Sequence, residues 1–357
     1  MTTKTVNLAL QGGGAHGAFT WGVLDRLLDE EKLAFEGLSG TSAGAVNAVL
    51  LAHGWLEGGR SGAQRALADF WQSSSQAGTV WSPLPTLPQA LVPGGEMIAA
   101  ASYRAFDALS RTFSPYEFNW FNLNPLRDIV AQCVDFDRLS RHGEMKLFIS
   151  ATNVRSGRVR VFDTEELSLD VVMASACLPF LFKAVEIDGE HFWDGGYMGN
   201  PSLFPFFYQC DSRDVLIVHI NPMERDEVPM SAPDIMNRIN EISFNSSLIA
   251  ELRSINFVSR MIEEGWLKDS HKDRLRNVLV HSVGADDVLS DLSVATKFDV
   301  SWNFLTDLRD RGRQAADDWL SENREAIGVR STADLANRYL RLPGAPGTPA
   351  VDGDRMR

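Results

Sequence analysis

The chain has 357 residues, 34 Lys+Arg against 47 Asp+Glu and a formal net charge of −13, with 44% hydrophobic and 23% charged residues. That composition excludes a largely disordered protein, and the acidic balance without a Lys/Arg tract excludes a nucleic-acid-binding face and bulk attraction to anionic lipid. Cys133, Cys177 and Cys210 are an odd, scattered set that makes neither a disulfide framework nor a zinc spacing, which points to a reducing, cytoplasmic setting. The length suits about two domains or one large α/β domain with additions. There is no apolar run of about 18 residues, so no transmembrane helix is expected. The start, Met1 to Leu10, is too short for a signal-peptide core and reads as a strand.

Val6 to Leu10 is a short apolar run that ends in Gln11-Gly12-Gly13-Gly14, a buried strand followed by a tight turn. Residues 15 to 32 place Trp21, Leu24 and Leu28 on one stripe, which predicts an amphipathic helix. Phe35 to Ser39 is a second strand, running into Gly40-Thr41-Ser42-Ala43-Gly44 and then a nearly all-apolar helix from residue 45. Strand, turn and helix alternating in this way predict a parallel α/β sheet. Residues 79–122 break the pattern, with five prolines, eight aromatics and five charged residues. This aromatic insertion reads either as a lid or as a satellite core. Further strands are predicted at 146–151, 158–162, 184–187, 191–193, 215–220 and 277–283. A short helix is predicted over Leu169–Ala176. Ser231 caps a long helix whose apolar stripe runs through Ile235, Ile239, Ile242, Ile249, Leu252, Ile255 and Ile262. The last 16 residues, 342–357, hold three Pro and three Gly and read as a disordered tail.

Gly40-Thr41-Ser42-Ala43-Gly44 fits the G-x-S-x-G nucleophile elbow. A serine on a sharp strand-to-helix turn projects its Oγ out of the sheet. Its neighbours two before and two after must be small because their backbones nearly touch, and the helix N-terminus behind it favours negative charge. Gly12-Gly13-Gly14-Ala15-His16-Gly17 matches G-x-G-x-x-G, with two readings. It could cradle a dinucleotide pyrophosphate, with Glu36 at the acidic position, or aim bare N–H groups at an oxyanion. A P-loop is excluded, since no Gly-Lys-Ser/Thr follows. The histidines His191, His219, His271 and His281 sit in no motif that singles one out as a triad base. Asp194, followed by Gly195 and Gly196 after a strand, stands out as a partner, or else as an ordinary Asp-Gly turn.

In this order, Gly12-x-Gly14-x-x-Gly17, Gly40-x-Ser42-x-Gly44 and Asp194-Gly195-Gly196, with the small-residue stretch Ala174–Phe180, resemble the patatin-like phospholipase family over residues 6 to 205. The resemblance implies a three-layer α/β/α sandwich with a mainly parallel sheet and a catalytic unit spanning 6–222. A mostly helical C-terminal extension at 223–341 falls outside it. It also implies a Ser42–Asp194 dyad acting on lipid or other acyl esters, with an oxyanion hole at Gly12, Gly13, Gly14 and Ala15, and no metal or cofactor. His16, Gly17, Thr41, Ala43 and Gly44 support these turns. His16 is a departure: members often carry Arg or Lys there, and a neutral His weakens that help or makes it pH-dependent. A carboxylate base near its reference pKa of about 4 is weak, so partial burial of Asp194 is expected. Alternative uses of the same site are an acyltransferase or a non-catalytic lipid-binding module. Nucleic acid is not an expected partner, and any peripheral membrane contact would be apolar and local.

Overall fold

The computed structural model describes residues 3–78, 113–225, 227–266, 275–284, 289, 292 and 294–340. In chain order come β1 (Lys4–Leu10), α1 (Gly17–Leu28), β2 (Leu33–Gly40), α2 (Ala43–Ala77), α3 (Pro115–Phe118), α4 (Pro125–Cys133) and α5 (Phe136–His142). There follow β3 (Lys146–Asn153), β4 (Val159–Phe162), α6 (Leu169–Ser175), β5 (Val185–Ile187), β6 (Glu190–Asp194), α7 (Phe204–Gln209) and β7 (Asp214–His219). The last are α8 (Ala232–Glu263), β8 (Leu279–Gly284) and α9 (Trp302–Asn323).

The strands form one sheet with the pairing order β5-β6-β3-β2-β1-β7-β8, and β4 also pairs with β3. The pairs among β1, β2, β3, β7 and β8 are parallel, whereas β4, β5 and β6 join antiparallel. Successive strand residues face opposite sides. In β1, Val6, Leu8 and Leu10 enter a large core with residues of α1, α2 and α9, while Ala9 enters a smaller core with α7 and α8. In β7, Leu216 and Val218 go to the first core, Val215 and Ile217 to the second. Helices therefore cover both faces, which is why these strands read as continuous apolar runs in the sequence. The fold is the expected three-layer sandwich around a mainly parallel sheet.

The region after residue 222 is built into this body. β8 extends the sheet beside β7, and Leu305, Leu308 and Trp319 of α9 lie in the larger core. α9 meets α1 backbone to backbone: a Cβ on Gly22 would lie 1.9 Å from Arg309 O, and one on Gly312 would lie 2.1 Å from Phe19 O. Ion pairs from Arg26 to Asp317 (2.6 Å) and from Arg324 to Glu30 (2.8 Å) flank that contact, and Arg313 binds Asp25 and Asp29.

The stripe expected on α8 is only partly the buried one. Phe244, Leu248, Leu252 and Ile255 are buried, while Ile235, Ile239 and Ile242 are exposed. Phe244 follows Ile235 by nine residues, and at about 100° per residue the two point about 180° apart. The apolar face of the first half is thus opposite to the face that meets the sheet. Ser231 does cap the helix, accepting a hydrogen bond from Asp234 N–H. Of the aromatic insertion, residues 79–112 lie outside the described residues, as does the tail 342–357. Among the described residues, no helix is long and apolar enough to cross a membrane.

Candidate active site

The register of β3 brings the two motif residues to one place. Ile149 pairs on one side with Gly40, the last residue of β2, and on the other with Phe162 of β4. Two residues on, Ala151 pairs with Arg160 of β4 and with Asp194, the last residue of β6. β6 therefore occupies the edge of β3 that β2 has just left. Ser42 stands two residues beyond Gly40, so serine and aspartate reach the same level beside β3 from opposite chain directions.

Ser42 has φ 53° and ψ −121°, a left-handed conformation that a non-glycine residue adopts only when its surroundings impose it. Those surroundings are tight. A Cβ on Gly44 would lie 2.2 Å from Leu10 O, so only glycine lets the elbow press against the end of β1. The Ser42 N–H donates to Ser175 Oγ (2.9 Å), and Thr41 Oγ1 donates to Gly199 O (2.6 Å). Ser42 is also the N-cap of α2, so the positive end of that helix lies at the site.

Asp194 is fully buried. Its N–H donates to Cys177 O, its carbonyl accepts from Thr152 Oγ1, and its Oδ1 accepts from Gly196 N–H at 2.7 Å. Oδ2 has no hydrogen-bond partner. Burial pushes the Asp194 pKa up from 3.8 to about 7, against the opposing pull of the Gly196 N–H, the Ser42 hydroxyl and Lys297. The Ser42 hydroxyl thus favours the charged form of the carboxylate. Burial, then the neighbouring Asp194, pushes the Cys177 thiol up to about 12, so it stays protonated.

The glycine turn lies against the elbow, with a Cβ on Gly12 falling 2.7 Å from Ser42 Cβ. The Gly12 N–H is already donated to Asn200 Oδ1 (2.7 Å), and the Gly12 carbonyl accepts from Asn221 Nδ2 (2.7 Å). Gly12 thus anchors the turn, and its N–H is not free for an oxyanion, unlike the expectation from the motif. Among the described residues no hydrogen bond engages the N–H groups of Gly13 and Gly14. Gly14 has φ +61°, and a Cβ there would lie 2.5 Å from Lys297 O. His16 is buried, and its Nε2 lies 2.8 Å from Thr296 Oγ1. Desolvation, then Lys297 and Arg225, lowers its pKa to about 3, so it is neutral at physiological pH. The pH-dependent help allowed for His16 on sequence grounds does not arise.

Asn200, Asn221, Ser175 and Lys297 went unrecognised in the motifs. Ser175 alone carried a signal, since it falls in the small-residue stretch before Pro179. His281 is engaged elsewhere, its Nε2 3.0 Å from Asp214 Oδ1 at the opposite end of β7. His191 lies 3.8 Å from Glu186, and His271 is outside the described residues. Among the described residues no group of three His, Cys, Asp or Glu side chains could hold a metal ion.

A serine held in a left-handed elbow, a glycine turn against it and a buried carboxylate thus come together at one end of the sheet. The chain belongs to the patatin-like phospholipase family, whose model matches residues 8–207, more than half of its length. Among solved structures it is similar to VipD from Legionella pneumophila, with 16% identity and a TM-score of 0.44 over 90% of this chain and 67% of that one. It is also similar to the ExoU–SpcU complex from the type III secretion system of Pseudomonas aeruginosa, with 17% identity and a TM-score of 0.30 over 95% of this chain and 66% of that one. The chain thus spans about two thirds of these neighbours. It matches no curated protein sequence.

Proposed function

We propose that the chain is a serine-dependent lipid acyl hydrolase in which Ser42 and Asp194 form a catalytic dyad. The observation that carries this is Ser42 in its strained elbow next to a fully buried carboxylate whose Oδ2 lacks a partner. Ser42 Oγ attacks the ester carbonyl carbon while its proton passes to Asp194 Oδ2. The N–H groups of Gly13 and Gly14, with that of Ala15, hold the tetrahedral oxyanion. Collapse expels the alcohol, which takes the proton from Asp194 and leaves an acyl-serine. Water, deprotonated by Asp194, then attacks the acyl-serine, and the fatty acid departs as Ser42 recovers its proton.

A pKa of about 7 suits Asp194 to this work, because a base tuned near ambient pH combines strength with occupancy of the ionised form. A local apolar contact with lipid is supported by Trp120 and Phe121, which are 74% and 88% exposed, with the Trp120 carbonyl accepting a hydrogen bond from Lys183 Nζ. The test is labelling of Ser42 by a fluorophosphonate probe, with release of fatty acid from phospholipid, lysophospholipid and p-nitrophenyl esters. Ser42→Ala should lower turnover by about 10³-fold or more. A Ser42→Ala protein with full activity overturns the reading. The native pH–rate profile should rise with an acid limb near pH 7.

A further inference from the structure

We propose that Lys297 is a positioning residue of the dyad, its ammonium holding the Asp194 carboxylate in the proton-accepting form. This rests on Asp194 being the base. Lys297 lies outside the family-matched stretch, in the turn Val294–Phe298.

Its backbone presses on the glycine turn at Gly14, and the preceding Thr296 lies against His16. Its Nζ donates to Asn221 Oδ1 (3.3 Å), and Asn221 Nδ2 in turn holds the Gly12 carbonyl. On its other side Nζ lies 5.9 Å from the centre of the Phe244 ring. The edge of that ring abuts Gly196, where a Cβ would lie 2.7 Å from Phe244 Cζ. Gly196 is the residue whose N–H binds Asp194. The ammonium is therefore tethered to the oxyanion turn and separated from the Asp194 turn by a single aromatic ring.

The charges around both groups give the placement its consequence. The groups acting on Asp194 are the Gly196 N–H, the Ser42 hydroxyl and Lys297, which is the one cation among them. Cys177 and Tyr197 also face Asp194, and both are held protonated and neutral, as His16 is held neutral. Desolvation lowers the Lys297 pKa from its ordinary value, with Glu241 and Asp194 acting to raise it and Arg225 to lower it further. The buried Glu241 carboxylate is bound by Arg225 (2.6 Å) and Arg238 (3.1 Å) on its two oxygens, and by Asn237. Glu241, which also binds two arginines, and Asp194 both favour the ammonium form of Lys297 against its desolvation, and that charge in turn favours the carboxylate form of Asp194, which burial would otherwise neutralise.

The experiment compares the native full-length chain with Lys297→Met, Lys297→Gln and Lys297→Arg. It follows both the rate of Ser42 labelling by a fluorophosphonate and kcat/KM on a p-nitrophenyl ester from pH 5 to pH 9.5. Lys297→Gln keeps a donor for Asn221 without the charge, which separates tether from field and guards against misfolding of the methionine variant. Both neutral variants should move the acid limb upward by about half a pH unit, a rate loss of about threefold at pH 6, and converge on the native rate above pH 9. Lys297→Arg should keep the native limb. An unmoved limb in the neutral variants, or the same loss at every pH, overturns the proposal and leaves the hydrolase reading standing. A native chain that is never labelled at Ser42 overturns both.

Discussion

Asp194→Asn should make this protein more stable as it destroys its activity, and the gain should grow with pH. The substitution keeps the side-chain volume and an acceptor for the Gly196 N–H, while removing a charge from a fully buried position. Below pH 3.8 the folded and unfolded chains both hold the Asp194 proton. Between 3.8 and about 7 the unfolded chain releases it and the folded chain keeps it, so the native protein loses stability as pH rises, and the loss is complete above 7. The difference, 7 − 3.8 = 3.2, at about 1.36 kcal/mol per pH unit sets a ceiling of about 4 kcal/mol. The same linkage gives a ceiling of about 1.7 kcal/mol at pH 5, so the advantage of the variant should rise by up to about 2.6 kcal/mol between pH 5 and pH 8. Urea unfolding of both proteins at the two pH values, read as midpoint and slope, measures it. An advantage that stays flat with pH would refute the reasoning, because it would mean that Asp194 titrates alike in both states.

Two further substitutions probe the scaffold. Asn200→Ala strips the Gly12 N–H of its acceptor inside the protein, which should cost about 1–3 kcal/mol and, by loosening the oxyanion turn, lower kcat more than it raises KM. Steady-state kinetics with an unchanged kcat would count against that role. Gly312→Ala places a methyl 2.1 Å from Phe19 O, so α9 must move off α1, and the urea midpoint should fall by the equivalent of about 1–3 kcal/mol. A native-like midpoint would show that the two helices do not need this close approach.

How much of the site was legible follows from how local each signal is. Ser42 and Asp194 could be picked out because each sits among glycines that a crowded turn demands, and crowding leaves its mark on immediate neighbours. Asn200, Asn221 and Lys297 carry no such mark. Each is a lone polar residue whose role depends on a chain segment far away, Lys297 lying 255 positions beyond Ser42 (297 − 42). α8 shows the same limit in packing. Its isoleucine spacing is helical along its whole length, but only contact with the sheet decides that Leu248, Leu252 and Ile255 are inside while Ile235 and Ile239 are not.

The sequence by itself determined the alternation of apolar strands, glycine turns and helices, and with it a parallel sheet carrying a serine elbow, because periodicity and turn chemistry are properties of neighbouring residues. Only the tertiary structure decided the electrostatic state of the site. The ionisation of Asp194, the neutrality of His16 and the standing of Lys297 all come from desolvation and from charges brought together across the chain, and those exist only once the layers have closed.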